Sequence, residues 1–126
     1  MIDTSHRTSV PLTVERAMAQ SHLNPPVFHI LLALARGDLH GLGIADRVEE
    51  ATGGAVELGP GTLYRSLKEM LREGLIREAE PPAGSDPRRK YYAMTAAGRR
   101  QVAAEAARLE ALVELARAES LLQERA

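Results

Sequence analysis

Two groups of basic side chains have the most specific chemistry in this sequence. One is the uninterrupted run at residues 88–90, and the other is spaced at helical intervals at Arg65, Lys68 and Arg72. Guanidinium and ammonium groups donate charge-assisted hydrogen bonds to phosphate oxygens, and a guanidinium can donate two in parallel. Both groups are therefore candidates for binding phosphates.

The acidic neighbours of the two groups differ. Glu69 and Glu73 lie close in sequence to the spaced group, so that group taken alone is typical of an ordinary solvent-exposed helix face. The run at 88–90 has only Asp86 nearby. A phosphate partner explains three adjacent cations better than solubility does.

The distribution of charge indicates a basic region that the net charge conceals. The 16 Lys and Arg nearly balance the 17 Asp and Glu, which gives a formal charge of -1. Residues 1–58 have a balance of -3, residues 59–100 of +4 and residues 101–126 of -2. Positive charge is therefore concentrated where both basic groups lie, as binding to a polyanion requires.

The three tyrosines lie in the same region. Tyr64 falls at the edge of the apolar arc of its predicted helix, so it either packs at the flank or reaches a phosphate with its hydroxyl. Tyr91 and Tyr92 point to opposite faces of a predicted strand. One of them is expected in the core, and the other is available to a nucleic acid or an effector.

Patterns for catalysis and metal binding are missing from the sequence. There is no Cys, and none of the four His is paired at i,i+4 for zinc. The glycines around Leu42 do not complete a dinucleotide fingerprint, and Ser66 and Asp86 have no His at a motif distance. We expect no enzyme activity, no metal and no cofactor, with His29 in the core or an interface and His40 in a turn.

The composition is that of one globular domain in a reducing compartment. The chain has 126 residues, 44% hydrophobic and 26% charged. The longest apolar run, residues 30–35, is far shorter than the roughly 20 residues that span a bilayer. The first ten residues lack the apolar stretch of a signal peptide. We therefore expect a cytoplasmic protein.

The apolar periodicity predicts three helices before a hairpin. The first covers the apolar segment 27–35 after Pro26, and the second follows His40 and ends near Gly53. The third begins with Pro60 and ends before Gly74, which suits the left-handed position after a helix. Its apolar face comprises Leu63, Leu67, Met70 and Leu71.

A hairpin and a long helix complete the predicted elements. Residues 75–80 and 90–94 are typical of two strands joined by a polar loop. Thr95 is a candidate cap for a helix of about 28 residues that runs almost to the C-terminus. A coiled-coil-like seam on this helix should bury against a partner helix. The residues expected in that dimer contact are Val102, Leu109, Leu112, Val113 and Ala116.

Three helices followed by a hairpin is the order of a winged helix-turn-helix. We therefore predict a mainly α fold with a small β-hairpin and a long C-terminal dimerisation helix. The expected parts are a flexible arm at 1–11, an extra helix at 12–24, the winged helix-turn-helix at 25–95 and the dimerisation helix at 96–126.

The residues also resemble a known family, the PadR-like transcriptional regulators. The segment GTLYRSL at 61–67, followed by GLI at 74–76, looks like the recognition helix and first wing strand of that family. The segment PRRKYYAMT at 87–95, with Gly98, looks like its wing motif and the entry to its last helix. The single long helix that follows is similar to the short subfamily.

The resemblance covers about residues 26–100 and has two departures. Residues 28–34 and the His-Gly pair at 40–41 are similar to the first two helices of the family. Leu42 stands where the family usually has Tyr, and Gly59 where a Ser cap is common. Gly is a tolerable helix cap, at a cost of a few tenths of a kcal/mol.

The resemblance implies a homodimeric DNA-binding regulator, a repressor that a small-molecule effector releases from a pseudo-palindromic operator. On this reading Thr62, Arg65, Ser66 and Lys68 face bases or nearby phosphates. Arg88, Arg89 and Lys90 bind the DNA backbone. No residue pattern identifies the effector or its pocket. The alternative is a winged-helix module whose basic face meets an acidic protein partner and which has no specific DNA binding.

Overall fold

The computed structural model describes residues 23–123. The expected arm at 1–11, and all but the last two residues of the expected helix at 12–24, lie outside the described residues. Residues 23–102 belong to one compact unit, and the remainder of the last helix belongs to a second. The elements in chain order are α1 (Pro25–Leu34), β1 (Leu39–His40), α2 (Gly41–Ala51), α3 (Pro60–Arg72), β2 (Ile76–Ala79), β3 (Tyr91–Met94) and α4 (Ala96–Ala118).

The first three helices enclose the core that the apolar periodicity predicted. Asn24 caps α1 by accepting a hydrogen bond from the backbone N–H of Val27 at 3.0 Å. The core side chains that are almost inaccessible to solvent come from all three helices: Ile30, Leu31, Ile44, Leu63, Leu67 and Met70. Because α3 buries only one side, its opposite side faces solvent.

The ends of α3 follow from its sequence. Pro60 is the first helical residue, and Gly59 caps the helix without a side-chain hydrogen bond. After the last turn Gly74 adopts a φ of +76°, and the N–H of Leu75 reaches back to the Met70 carbonyl at 2.9 Å. This is a Schellman motif with glycine at the left-handed position, as predicted.

The predicted hairpin is part of a three-stranded sheet. Strands β2 and β3 pair antiparallel, with Ile76 opposite Met94, and the two-residue strand β1 pairs with the other edge of β3. Strand β1 is too short to have an alternation of its own, so periodicity did not reveal it. Its pairing sets His40 opposite Tyr91, which brings the start of α2 to the end of the hairpin where the connecting loop joins β3. The mainly α winged helix-turn-helix fold is otherwise as predicted.

The last helix begins as predicted and ends earlier. The hydroxyl of Thr95 accepts a hydrogen bond from the N–H of Gly98 at 3.0 Å and so caps α4. The helix stops at Ala118, where the expected helix continued almost to the C-terminus. Ser120 takes a φ of +62°, and the N–H of Leu121 bonds to the Ala116 carbonyl, which is again a Schellman motif. Without Gly or Pro, the sequence carried no clear stop signal.

No helix among residues 23–123 combines the length and apolar character needed to cross a membrane.

Candidate nucleic-acid interface

The exposed side of α3 presents three cations that differ in their pairing. Arg65, Lys68 and Arg72 are all exposed on the side opposite the core. The Nη2 atom of Arg72 lies 2.8 Å from the Oε2 atom of Glu69, a helical i,i+3 ion pair. Within the part of the chain that the structure describes, Arg65 and Lys68 form no ion pair. Two of the three cations therefore remain available to an external anion.

Two residues expected beside these cations are less exposed. Thr62 is half-buried, and Ser66 is only 8% exposed because it lies three residues after Leu63 and four before Met70 on the helix. Both line a groove between α3 and the start of α1, together with Arg65. Thr62 lies at the edge of the exposed side, whereas Ser66 belongs with the packed side.

Tyr64 packs at the flank of α3, which is one of the two arrangements that the sequence left open. Its side chain is exposed, and its ring lies against Gly41 at the start of α2. A Cβ at residue 41 would come within 2.8 Å of the Tyr64 hydroxyl oxygen and 3.1 Å of Cε1. Gly41 therefore leaves room for the ring, and Tyr64 is one of the residues that line a cleft.

The wing comprises β2, β3 and the loop between them. Its three adjacent cations also differ in their ion pairs. Arg88 donates to both carboxylate oxygens of Asp86, at 3.2 and 3.1 Å, and its backbone N–H donates to the same group at 2.9 Å. These bonds from Arg88, with the nearby charge of Arg89, hold the pKa of Asp86 below its ordinary value. Lys90 lies 4.0 Å from Glu78. Among the described residues, Arg89 forms no ion pair.

One strand tyrosine is in the core, as predicted, and the other is half-buried. Tyr92 is 6% exposed and belongs to the hydrophobic core. Burial, followed by the negative charge of Glu78 and the proximity of Tyr64, raises the pKa of the Tyr92 phenol, which stays neutral at physiological pH. Tyr91 packs edge-on against His40, with ring centroids 5.3 Å apart.

A basic cleft joins α2, α3 and the wing. It has a volume of about 410 Å³, and its lining residues are His40, Gly41, Leu42, Tyr64, Arg88, Arg89, Lys90 and Tyr92. No acidic residue lines it. A cleft with several converging donors and no lining carboxylate is suited to an anion with several acceptor oxygens.

His40 is the lining residue that sequence reasoning missed. We expected it in a turn, and it is both the cap of α2 and a residue of β1. Its Nδ1 atom accepts a hydrogen bond from the N–H of Gly43 at 3.1 Å, while Nε2 lies 3.0 Å from Nη1 of Arg89. The contact with Arg89 joins residues 49 positions apart, so no local pattern could have indicated it.

The second unit of the described chain exposes apolar side chains along α4. Leu112 and Val113 are exposed, while Leu109 and Ala116 are half-buried. These four residues fall within roughly 100° of the helix circumference. Val102, expected in the same seam, is only 8% exposed and belongs to the hydrophobic core of residues 23–102. Its place in the sequence puts it at the packed first turns of the helix.

The last helix also holds an ion pair with a buried carboxylate. Glu105 is 4% exposed, and its carboxylate accepts a hydrogen bond from Nε of Arg108 at 2.9 Å. Hydrogen bonding to Glu105 raises the pKa of the Arg108 guanidinium above its ordinary value. A buried carboxylate needs such a partner, since an unpaired one would be costly.

The described residues hold no cluster of side chains that could bind a metal ion.

Comparison with known sequences identifies relatives of this chain. The model of the transcriptional regulator PadR-like family matches residues 30–104. An uncharacterized 37.1 kDa protein in transposon TN4556 of Streptomyces fradiae is 36% identical over 77 residues, which cover 61% of this chain and 21% of that protein. The match thus spans about a fifth of the length of that relative.

Solved structures show the same fold. A PadR family transcription regulator from Clostridium difficile is 26% identical with a TM-score of 0.65, over 75% of this chain and 96% of that one. PadR from Bacillus subtilis, solved in complex with operator DNA, is 26% identical with a TM-score of 0.53, over 61% of this chain and 44% of that one. Since the family model covers more than half of its length, this chain belongs to the transcriptional regulator PadR-like family.

Proposed function

We propose that this protein is a homodimeric, sequence-specific DNA-binding regulator that uses α3 and the wing on duplex DNA. The observation that carries the proposal is the basic cleft, because it connects the exposed side of α3 with the wing and has no acidic lining residue. The Bacillus subtilis relative that was solved with operator DNA supports the same activity here.

In this proposal α3 and the wing make different kinds of contact with DNA. Arg65 and Lys68, which are free of ion pairs in the described part of the chain, read base edges or adjacent phosphates, with Thr62 at the margin. Ser66 is left out of this assignment because its side chain is almost buried. Tyr64, together with the wing residues Arg88, Arg89 and Lys90, binds the sugar-phosphate backbone. Contacts with the backbone position the protein on DNA, and contacts with base edges give sequence preference.

The dimer is formed by α4. The exposed apolar residues of this helix need a cover, and a second copy of the same helix provides a self-complementary one. In this arrangement residues 25–95 form the DNA-binding domain, and α4, which runs from Ala96 to Ala118, makes the dimer contact. Two recognition helices then lie roughly 34–36 Å apart and match a pseudo-palindromic operator.

Repression, release by an effector and a cytoplasmic location complete the proposal. A bound dimer at a promoter blocks transcription, and a small molecule at the dimer interface lowers the affinity for DNA. Transcription in vitro from the DNA upstream of the gene should fall when the protein is added. A rise would mean that the protein is an activator.

A gel shift against the DNA upstream of the gene tests the function. We expect retardation that survives an excess of random competitor duplex, because base contacts add specificity to the phosphate contacts. No retardation, or retardation that the competitor abolishes, would contradict sequence-specific binding. That outcome would favour the winged-helix protein-interaction module instead.

A further inference from the structure

His40 has two ring nitrogens with fixed and different roles. Nδ1 accepts a hydrogen bond from the backbone N–H of Gly43 at 3.1 Å, which caps α2. An imidazole nitrogen that accepts a hydrogen bond carries no proton, so the neutral ring has its proton on Nε2. Nε2 is therefore a hydrogen-bond donor at the edge of the basic cleft.

A second hydrogen-bond donor lies next to Nε2 of His40. Nη1 of Arg89 lies 3.0 Å from Nε2 of His40, and a guanidinium has no acceptor. Two donors cannot satisfy each other, so both require an acceptor from outside. Two acids of the wing already have basic partners: Asp86 is paired with Arg88, and Glu78 lies 4.0 Å from Lys90.

The imidazole ring is held in place before any ligand arrives. The cap on α2 fixes one edge, and Tyr91 packs against the ring at an interplanar angle of 83°. The pairing of β1 with β3 sets the two residues opposite each other. A donor that is oriented in advance loses little entropy on binding.

We propose that His40 and Arg89 form a two-donor clamp for one backbone phosphate of bound DNA, with His40 acting as a neutral donor. This inference rests on the proposed DNA binding. A non-bridging phosphate oxygen has lone pairs for both N–H groups, and Tyr64 lines the same cleft. A phosphate of duplex DNA is favoured over a free anion because the cleft adjoins both α3 and the wing.

Two substitutions test the roles of the two ring nitrogens of His40 separately. His40→Asn keeps an acceptor near the position of Nδ1, and Asn is a good helix cap, but it removes the outer donor. His40→Gln keeps an amide N–H near the position of Nε2 and loses the cap. We expect His40→Asn to unfold close to the wild-type temperature and to bind a labelled duplex about ten-fold more weakly. His40→Gln should unfold earlier and bind more tightly than His40→Asn.

The dependence on salt separates a neutral donor from a charged one. Affinity for one short duplex is measured by fluorescence anisotropy at several KCl concentrations for wild type, His40→Asn and Arg89→Ala. Arg89→Ala should reduce the slope of log K against log[KCl], whereas His40→Asn should leave it unchanged because a neutral donor releases no counterion.

The outcomes distinguish the clamp from the function on which it rests. Wild-type affinity in His40→Asn, equal losses in the Asn and Gln variants, or a reduced salt slope in His40→Asn would each overturn the clamp while DNA binding stands. If the wild-type protein binds no duplex at all, the proposed function fails and the clamp fails with it.

Discussion

At the scale of single residues, the basic side chains differ in how far the protein neutralises them. Arg88 is held by Asp86 through three hydrogen bonds, whereas the guanidinium of its neighbour Arg89 forms no ion pair among the described residues and lies beside the imidazole of His40. On α3, Arg72 is paired with Glu69. A cation that already has a carboxylate must exchange one partner for another, so it contributes less to binding a phosphate.

Arg89 should therefore contribute more to DNA affinity than Arg88. We expect Arg89→Ala to weaken binding to specific and random duplexes alike, and to reduce the salt slope by about 0.9 for each lost phosphate contact. Arg88→Ala should have a smaller effect on both, since Asp86 already offsets its charge. Anisotropy titrations in a KCl series measure both. Equal slopes for wild type and Arg89→Ala would show that Arg89 does not contact phosphate.

Arg65 should affect sequence preference rather than general affinity. If its guanidinium is bidentate to a guanine, Arg65→Ala should lower discrimination at one base pair by ~1–3 kcal/mol. Binding to a set of single-base operator variants measures this. Arg72→Ala, on the same side of α3 but paired with Glu69, is the matched control. Equal losses on operator and random DNA would assign Arg65 to the backbone instead.

At the scale of elements, Thr95 fixes the junction between α3, the sheet and α4. Its hydroxyl donates to the Gly74 carbonyl at 2.6 Å and accepts from the Gly98 N–H. Its backbone N–H donates to the Leu75 carbonyl at 3.1 Å. The first turn of α4 therefore packs directly on the end of α3, and Gly98 lies against the Leu75 backbone.

This close approach requires glycine at residue 98. A Cβ there would overlap the carbonyl oxygen of Leu75, which is backbone and cannot swing aside, and would meet Met94 Cγ at 3.1 Å. We expect Gly98→Ala to lower the free energy of unfolding by at least about 2 kcal/mol. Chemical denaturation followed by circular dichroism measures it.

Gly61 provides the control for that substitution. It lies in α3 with no atom near its missing Cβ, so Gly61→Ala should raise the free energy of unfolding by about 0.5–1 kcal/mol. If both variants change stability in the same direction and by the same amount, the steric account of Gly98 is wrong.

At the scale of the whole molecule, charge and apolar surface are separated along the chain. The segment with a balance of +4 contains α3 and the wing, and the segment with -2 contains most of α4. On α4, Leu112 and Val113 remain exposed on the apolar side. This separation leaves one surface for a polyanion and another for a second copy of the chain.

Disruption of the apolar face of α4 should give monomers. We expect the wild-type protein to have the mass of two chains in light scattering at micromolar concentration, and Leu112→Glu to have the mass of one. A charge at this position would be desolvated in the dimer without a partner. Glu110→Gln, an exposed position outside the face, should remain dimeric. A monomeric wild-type protein would contradict the proposed dimer.

The sequence alone was sufficient for most of the elements. The apolar spacing of Leu63, Leu67 and Met70, with Pro60 and Gly74 at its ends, predicted α3 because helix boundaries and helix faces depend on neighbouring residues. The cap at Thr95 is local in the same way. The end of α4 was not predicted, since Ser120 adopts a positive φ that its residue type gives no reason to expect.

The tertiary structure decided which candidate side chains are available. Ser66 and Val102 were expected at binding surfaces and are buried, Ser66 on the packed side of α3 and Val102 in the hydrophobic core. His40 was expected only in a turn and lines the basic cleft, because it contacts Arg89 and belongs to the two-residue strand β1. Residue types and local spacing are properties of the sequence itself, so the sequence determined the helices, the wing and the basic segment. Burial, pairing of charges and the shared cleft arise from contacts between distant residues, and only the folded chain brings these together.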